Sequence, residues 1–295
     1  MEKLKRVVLA GGTGLVGRHL AAALAREGVQ VAVLSRSGAP GTASWDDLPR
    51  ALEGADAVVN LAGEGIADQR WTASRKEAIL RSRVDATTRL VAALNALPAP
   101  PPVLVSASAV GLYGPMDGRP VDETFPPGKG FLAKVCRQWE AAADGAAGTR
   151  VVKLRLGVVL ARDGGALPKM AFPVKLFQGA KLGHGQQGLS WIHIDDLVRL
   201  ILEAASNPGY AGVVNATAPG PVTNESFTRA LARRLHRPML PVPAWVTRAA
   251  LGLLTGEMGR AMLLEGAFVY PRRAEALGFV FRFPRVEGAL EDLLG

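Results

Sequence analysis

The chain holds one cysteine, Cys136, in 295 residues, which excludes an internal disulfide framework and fits a reducing, cytoplasmic compartment. No uncharged apolar run reaches the roughly 18 residues that a membrane-spanning helix needs. The start, MEKLKRVVLAGGTGLVG, mimics a secretory leader, but glycines break its apolar stretch and no small-residue cleavage site follows, so a β-strand is expected there. Basic blocks interleaved with aromatics are missing, so the net charge of +9 does not predict nucleic-acid binding. It reads as a solvated surface plus pockets for a polyanionic small molecule. No His, Cys, Asp or Glu spacing suggests a metal site. Tyrosine is scarce too, at Tyr113, Tyr210 and Tyr270 only. The expected partner is a small-molecule substrate, with neither nucleic acid nor membrane; oligomeric state stays open between monomer and homodimer.

What is present begins with a glycine-rich turn. Gly11, Gly12, Thr13, Gly14, Leu15, Val16 and Gly17 follow the apolar run Val7-Val8-Leu9 and open into an amphipathic segment. Either Gly11 or Gly12 permits the tight turn. Gly14 lets the backbone approach a pyrophosphate, and Gly17 lets the helix pack closely. The N–H groups freed at the new helix start then face anionic phosphates. Apolar runs at 6–10, 29–34, 57–61, 102–106 and 150–159 alternate with helical periodicity at 15–27, 74–97 and 131–147. This alternation predicts an α/β fold: a Rossmann-type, doubly wound parallel sheet with ligands at the carboxyl ends of its strands. A helix over 195–205 and a strand over 213–216 return to that sheet. Residues 1–163 and 191–218 are therefore read as the dinucleotide-binding domain. Residues 164–190 and 219–295 are read as a smaller, mostly helical substrate lobe.

A NAD site places an acid about 20 positions past the glycines, on the ribose hydroxyls. Here no Asp or Glu occurs from Gln30 until Asp46, and the second strand ends on Ser35 and Arg36. A guanidinium offers planar, charge-assisted donors to a 2′-phosphate, so NADP(H) is the expected cofactor. Leu61, Ala62 and Gly63 close the third strand with small residues over which a dinucleotide can pass, and Ser106 ends the next one.

The segments 11–20, 60–64, 66–68, 70–71, 82–83, 106–114, 139–140, 157–160, 164–165, 190–196 and 276–279 resemble, in order, the extended short-chain dehydrogenase/reductase superfamily. The likeness is to its atypical branch of YfcH-like, NAD(P)-dependent (nucleoside-diphosphate-sugar) epimerase family proteins with a C-terminal domain of unknown function. The superfamily uses a Ser or Thr, a Tyr, and a Lys four residues after that Tyr. The resemblance assigns Ser108 and Lys134 to the first and last of these. The position four before Lys134 is Gly130, so the usual acid/base is absent. Tyr113 is the phenol expected near the nicotinamide, as an acid/base or as a pocket-wall aromatic. Lys134 is expected to contact the ribose. His193 reads as core, and Trp139 and Glu140 as helix packing. Arg70, Trp71, His184 and Gln187 are candidates for substrate contact, and Arg155 or Arg272 for a substrate phosphate. The function expected is an NADP(H)-dependent oxidoreductase or epimerase acting on a small polar substrate, with a non-catalytic NADP(H)-sensing protein as the alternative.

Overall fold

The computed structural model describes residues 4–35, 42–116 and 118–295. The chain runs through β1 (Arg6–Ala10), α1 (Leu15–Arg26), β2 (Gln30–Ser35), β3 (Ala43–Ser44), α2 (Leu48–Leu52), β4 (Ala57–Asn60), α3 (Ala73–Asn95) and β5 (Val103–Ala109). It continues with β6 (Pro120–Val121), α4 (Phe131–Asp144), β7 (Arg150–Leu156), β8 (Val158–Ala161), β9 (Gly164–Gly165) and α5 (Ala166–Lys175). Then come β10 (Gly188–Leu189), β11 (Trp191–His193), α6 (Ile194–Ser206), β12 (Gly212–Ala216), β13 (Val222–Thr223) and α7 (Asn224–Arg234). The last elements are α8 (Ala244–Gly259), β14 (Phe268–Val269), α9 (Arg272–Ala276) and α10 (Val286–Leu294).

Seven strands form one parallel sheet in the order β12-β7-β5-β4-β1-β2-β3. Each central strand is apolar on both faces because helices cover both. Val7 and Leu9 join one core with Leu20 and Leu24 of α1 and Leu197 and Ile201 of α6. Val8 and Ala10 join the opposite core with Leu48, Leu52, Leu90 and Leu94. Side chains alternate across a strand, so a near-continuous apolar run is what a doubly covered sheet requires. Strand order reverses between β1 and β4, and the crevice at such a switch point is where ligands bind in open α/β sheets.

Two expected strands are corrected. The run 150–159 is not one strand. At Gly157 the chain leaves the main sheet, its N–H donating to Ala216 O, and Val158 donates to Ser190 O. β8 then pairs with β11 and β9 in a separate three-stranded sheet. The strand expected at 102–106 continues to Ala109, so Ser108 lies within β5, in register with Arg155 of β7. Among the described residues no helix is long and apolar enough to cross a membrane.

The C-terminal region is tied to the sheet domain by backbone pairing and buried charge. β10 pairs with β13, and β14 with β6. Asp196, fully buried in the first turn of α6, accepts the N–H groups of Arg282 and Phe283, each at 2.9 Å, and pairs with Arg199 at 3.0 Å. His193 caps α6, accepting Asp195 N–H on Nδ1, and stacks on Phe283. Burial holds the imidazole below its ordinary pKa. Replacing Asp196 with Ala strands two backbone donors, and hydrogen bonds to charged groups are worth about 1.5–3 kcal/mol each. We expect Asp196→Ala to lower the free energy of urea unfolding by about 3 kcal/mol; a loss below about 1 kcal/mol contradicts this tie.

Candidate functional site

The glycine turn sits at the carboxyl end of β1. Gly11 takes φ +78°, and a Cβ there would lie 2.6 Å from Leu61 O, so of the two expected glycines it is Gly11 that makes the turn. A Cβ at Gly17 would lie 2.5 Å from both Gly11 O and Gly12 Cα. Gly17 therefore packs α1 onto the turn itself. Gly14 caps α1 without a side-chain hydrogen bond, no acid stands in the first turn, and Thr13 and Gly14 are exposed. The helix start thus keeps free N–H groups and a positive dipole end on an open face, the arrangement that receives an anion.

Neighbouring strand ends converge on this turn. Ala10 is in register with Asn60, and Asn60 with Ser106. Buried Asn60 donates to Thr87 Oγ1 at 2.8 Å and to Ser106 Oγ at 3.3 Å, and its amide oxygen accepts Ala62 N–H at 3.2 Å. Ser106, expected to bind the cofactor, is 1% exposed and stands as a support beneath the Leu61-Ala62-Gly63 turn. Arg83 runs along Gly63, donating to Glu64 O and Ile79 O at 2.9 and 3.0 Å, and lies 5.2 Å from the Trp139 ring. Ser35 is buried at the end of β2. Arg36 lies outside the described residues.

Two expected catalytic groups face the interior. Ser108 is 2% exposed and donates its hydroxyl to Glu140 Oε1 at 2.6 Å. Arg155 grips the same carboxylate with two nitrogens, at 2.8 and 2.9 Å, and donates from a third to the Tyr113 hydroxyl at 2.8 Å. Tyr113, fully buried, donates onward to Asn215 Oδ1 at 2.7 Å. Burial pushes the phenol above its ordinary pKa against the pull of Arg155. Tyr113 is therefore placed as an interior strut between β5, β7 and β12, not as a phenol facing a ligand. Burial opposes the Arg155 charge, yet the bonds to Glu140 and Tyr113 hold its pKa above the ordinary value. An Arg155 so bound cannot also meet a substrate phosphate, which corrects that expectation, and Glu140 is its counter-ion rather than mere helix packing. Cys136, buried beside them, has its thiol pushed up to about 11 by burial and stays protonated.

Gly130 is more than a missing phenol. It takes φ +99°, a conformation side chains rarely adopt, and it stands before the first residue of α4. The usual Tyr and Lys sit one helical turn apart on one face; here the position four before Lys134 is outside the helix. Lys134 itself is exposed in the first turn of α4, with no partner among the described residues.

The remaining candidates divide. Trp71 is buried, donates to Ile66 O at 2.9 Å and meets the Phe131 ring edge-on at 5.0 Å, so it is a wall, not a free clamp. Arg70 reaches across to Leu253 O of α8, and Lys76 pairs with Glu257. These contacts fasten loop 64–71 and α3 to the C-terminal region. His184 is exposed, its Nδ1 accepting Gln186 N–H. Gln187 is buried and its amide nitrogen is spent on Leu182 O and Leu263 O. Arg272 lies against the Tyr270 ring and pairs with Glu275, partly exposed.

Breaking the buried pair from one side leaves an uncompensated charge, which costs about 3–5 kcal/mol, whereas replacing both partners by apolar groups often costs little. We expect Glu140→Gln to lose about 3 kcal/mol of unfolding free energy. The double variant Glu140→Leu/Arg155→Met should lose less, in parallel urea titrations. A single variant no less stable than the parent contradicts the pair's role.

Comparisons with known proteins agree with this geometry. Residues 7–216 match the NAD dependent epimerase/dehydratase family, and residues 242–293 match a domain of unknown function, DUF1731. The chain is 42% identical to the chloroplastic homolog of epimerase family protein SDR39U1 from Arabidopsis thaliana, over 99% of this chain and 88% of that one. The crystal structure of human SDR39U1 (isoform 2) with NADPH superposes with a TM-score of 0.91 at 36% identity, covering 98% of each chain. A nucleoside-diphosphate sugar epimerase structure from Corynebacterium glutamicum gives 0.81 at 36% identity, covering 99% of this chain and 59% of that one. With its sheet, its glycine turn and its C-terminal region all accounted for, this chain belongs to the NAD dependent epimerase/dehydratase family, in company with the SDR39U1 proteins.

Proposed function

We propose that the chain binds NADP(H) across the carboxyl ends of β1, β2, β4 and β5 and acts as an oxidoreductase or epimerase on a small polar substrate of the nucleotide-sugar kind. The observation that carries this reading is the uncapped, acid-free start of α1 behind an exposed Gly14. The NADPH in the human relative's structure supports the cofactor choice. So does the lack of an acid at the end of β2.

When bound, the cofactor supplies or accepts a hydride. The chain's own groups do the rest. The first N–H groups of α1 meet the pyrophosphate, and Ser35 and Arg36 meet the 2′-phosphate. Residues 61–63, held by Asn60, support the dinucleotide's passage. Lys134 reaches the ribose and, exposed and without a partner among the described residues, is suited to deliver a proton to a substrate oxygen as hydride arrives at its carbon. Ser108 and Tyr113 act from behind, by fixing the end of β5. Loop 64–71 and loop 182–187 flank the substrate.

A second reading has its own support. Gly130 lacks a phenol, and the hydroxyls of Ser108 and Tyr113 are both committed inward. These favour an NADP(H)-binding protein that senses cofactor state without turnover. Incubating the protein with NADPH and a panel of carbonyls and nucleotide sugars separates the two. Under the first reading some substrate is reduced or epimerised, and Lys134→Met abolishes this while NADPH still binds. Tight NADPH binding with no turnover across the panel selects the second.

The cofactor assignment has a separate check by fluorescence titration. Arg36→Ala should weaken NADPH about ten- to a hundred-fold, as loss of a charge-assisted contact does, and leave NADH unchanged. Equal NADPH affinity in the variant and the parent overturns the role of Arg36.

A further inference from the structure

Positive charge is concentrated in the C-terminal half. Residues 164–194 and 204–256 carry eight Lys and Arg against one acid, Glu225, and so hold seven of the nine net positive charges. Where these segments meet, α7, Lys181 and residues 237–242 line an open groove of about 400 Å³. Four cations line it: Lys181, Arg229, Arg233 and Arg237. Glu225 lies 2.9 Å from Arg229 and 3.8 Å from Lys181, so it offsets part of that charge and no more. Arg233 is exposed and has no partner among the described residues.

Arg237 is held in place with donors to spare. Its Nε and Nη1 donate to Lys175 O and His236 O, at 3.4 and 3.2 Å, and the guanidinium lies 4.4 Å from the Phe177 ring centroid. The second terminal nitrogen has no partner among the described residues. The backbone that sets this up is strained. Phe177 and His236 are the only non-glycine residues with positive φ among the described ones, at 59° and 53°. Each follows a helix end, α5 or α7, in a turn that glycine usually fills. Phe177 N–H returns to Val174 O and Gln178 N–H to Pro173 O, while His236 N–H returns to Arg233 O and Arg237 N–H to Ala232 O. Such outliers cluster at ligand sites, where surrounding structure holds them. Here they bring the Phe177 ring and the Arg237 fork together.

We propose that this groove is a second binding site, separate from the dinucleotide turn, for an organic phosphate: a mono- or diphosphate group on an apolar body. Four cations against one carboxylate leave an excess suited to a di- or trianion, and guanidinium forks match phosphate oxygens. The wall formed by Met239, Leu240 and Val242 gives the apolar body its contact. Stacked bases of a nucleic acid have no platform here, because Arg237 already occupies the Phe177 ring face. None of the groove residues belongs to the NADP(H) site, so the proposal stands apart from that reading. The phosphate can come from a soluble ester or from a phospholipid headgroup, since Phe177 and Leu240 stand exposed beside the cations.

The test is calorimetric titration of the full chain at low salt, without and with excess NADPH. The probes are inorganic pyrophosphate and, by cosedimentation, phosphatidylcholine vesicles with and without phosphatidic acid. Pyrophosphate should bind in both conditions and weaken as salt screens the site. Arg233→Ala and Arg237→Ala should each weaken it about ten- to a hundred-fold while thermal midpoint and NADPH affinity stay unchanged. Binding of pyrophosphate alone assigns a soluble ester, and binding of the acidic vesicles alone assigns a headgroup; in either case the two substitutions must abolish it. The proposal is overturned if, with NADPH in excess to fill the dinucleotide turn, neither probe binds or binding survives both substitutions.

Discussion

The ends of β5, β7 and β12 and the start of the C-terminal region rest on one buried ion pair. Arg155 and Glu140 meet in a two-pronged contact with almost no access to water. A carboxylate and a guanidinium taken out of water are tolerable only when their remaining bonding capacity is also filled. Ser108 and Tyr113 fill it, one on each partner. Asn215 then extends the chain of bonds, donating its amide to Tyr270 O and its backbone N–H to Glu123 Oε1. Strands β5, β7 and β12, helix α4 and the C-terminal region are thereby joined by a single polar network.

That network changes what the familiar residues do. In the superfamily pattern a Ser, a Tyr and a Lys face a ligand together. Here the hydroxyls of Ser108 and Tyr113 are recruited as satisfied members of a charged core, and the place of the pattern's own Tyr is Gly130, outside its helix. Lys134 is left as the exposed ionisable side chain of that constellation. The cofactor cradle does not depend on these groups. It is made from backbone, by Gly11 and Gly17 in the turn and by Asn60 holding Ala62, so it persists where the acid/base pattern does not.

The C-terminal region has two relations to the rest. On one side it is locked: Asp196 holds the 282–283 segment, Arg70 reaches Leu253 O, and Lys76 pairs with Glu257. On the other it gathers four cations against one carboxylate in a groove with strained walls. Locking fixes loop 64–71 and α3 against α8. The cationic groove leaves that charge facing solvent, with Glu225 offsetting only part of it.

The sequence by itself determined the sheet, the glycine turn and the absent phenol, because these are local. A run such as Val7-Val8-Leu9 can be stable only when covered on both faces. The turn needs a glycine, though only the structure shows that it is Gly11 and not Gly12, and Gly130 has no side chain to offer. It also made the likeness to the epimerase family legible. Tertiary structure alone decided the roles of Ser108, Tyr113, Arg155, Glu140 and Trp71. Their partners lie far along the chain, Glu140 15 residues from Arg155 and Asn215 102 residues from Tyr113, while Trp71 meets Phe131 of α4. Local spacing states which side chains are available, but the direction in which a hydroxyl donates is set by whichever buried charge it must satisfy. The same holds for the cationic groove: its arginines are plain in the sequence, and only two helix ends turning at Phe177 and His236 bring them to one place.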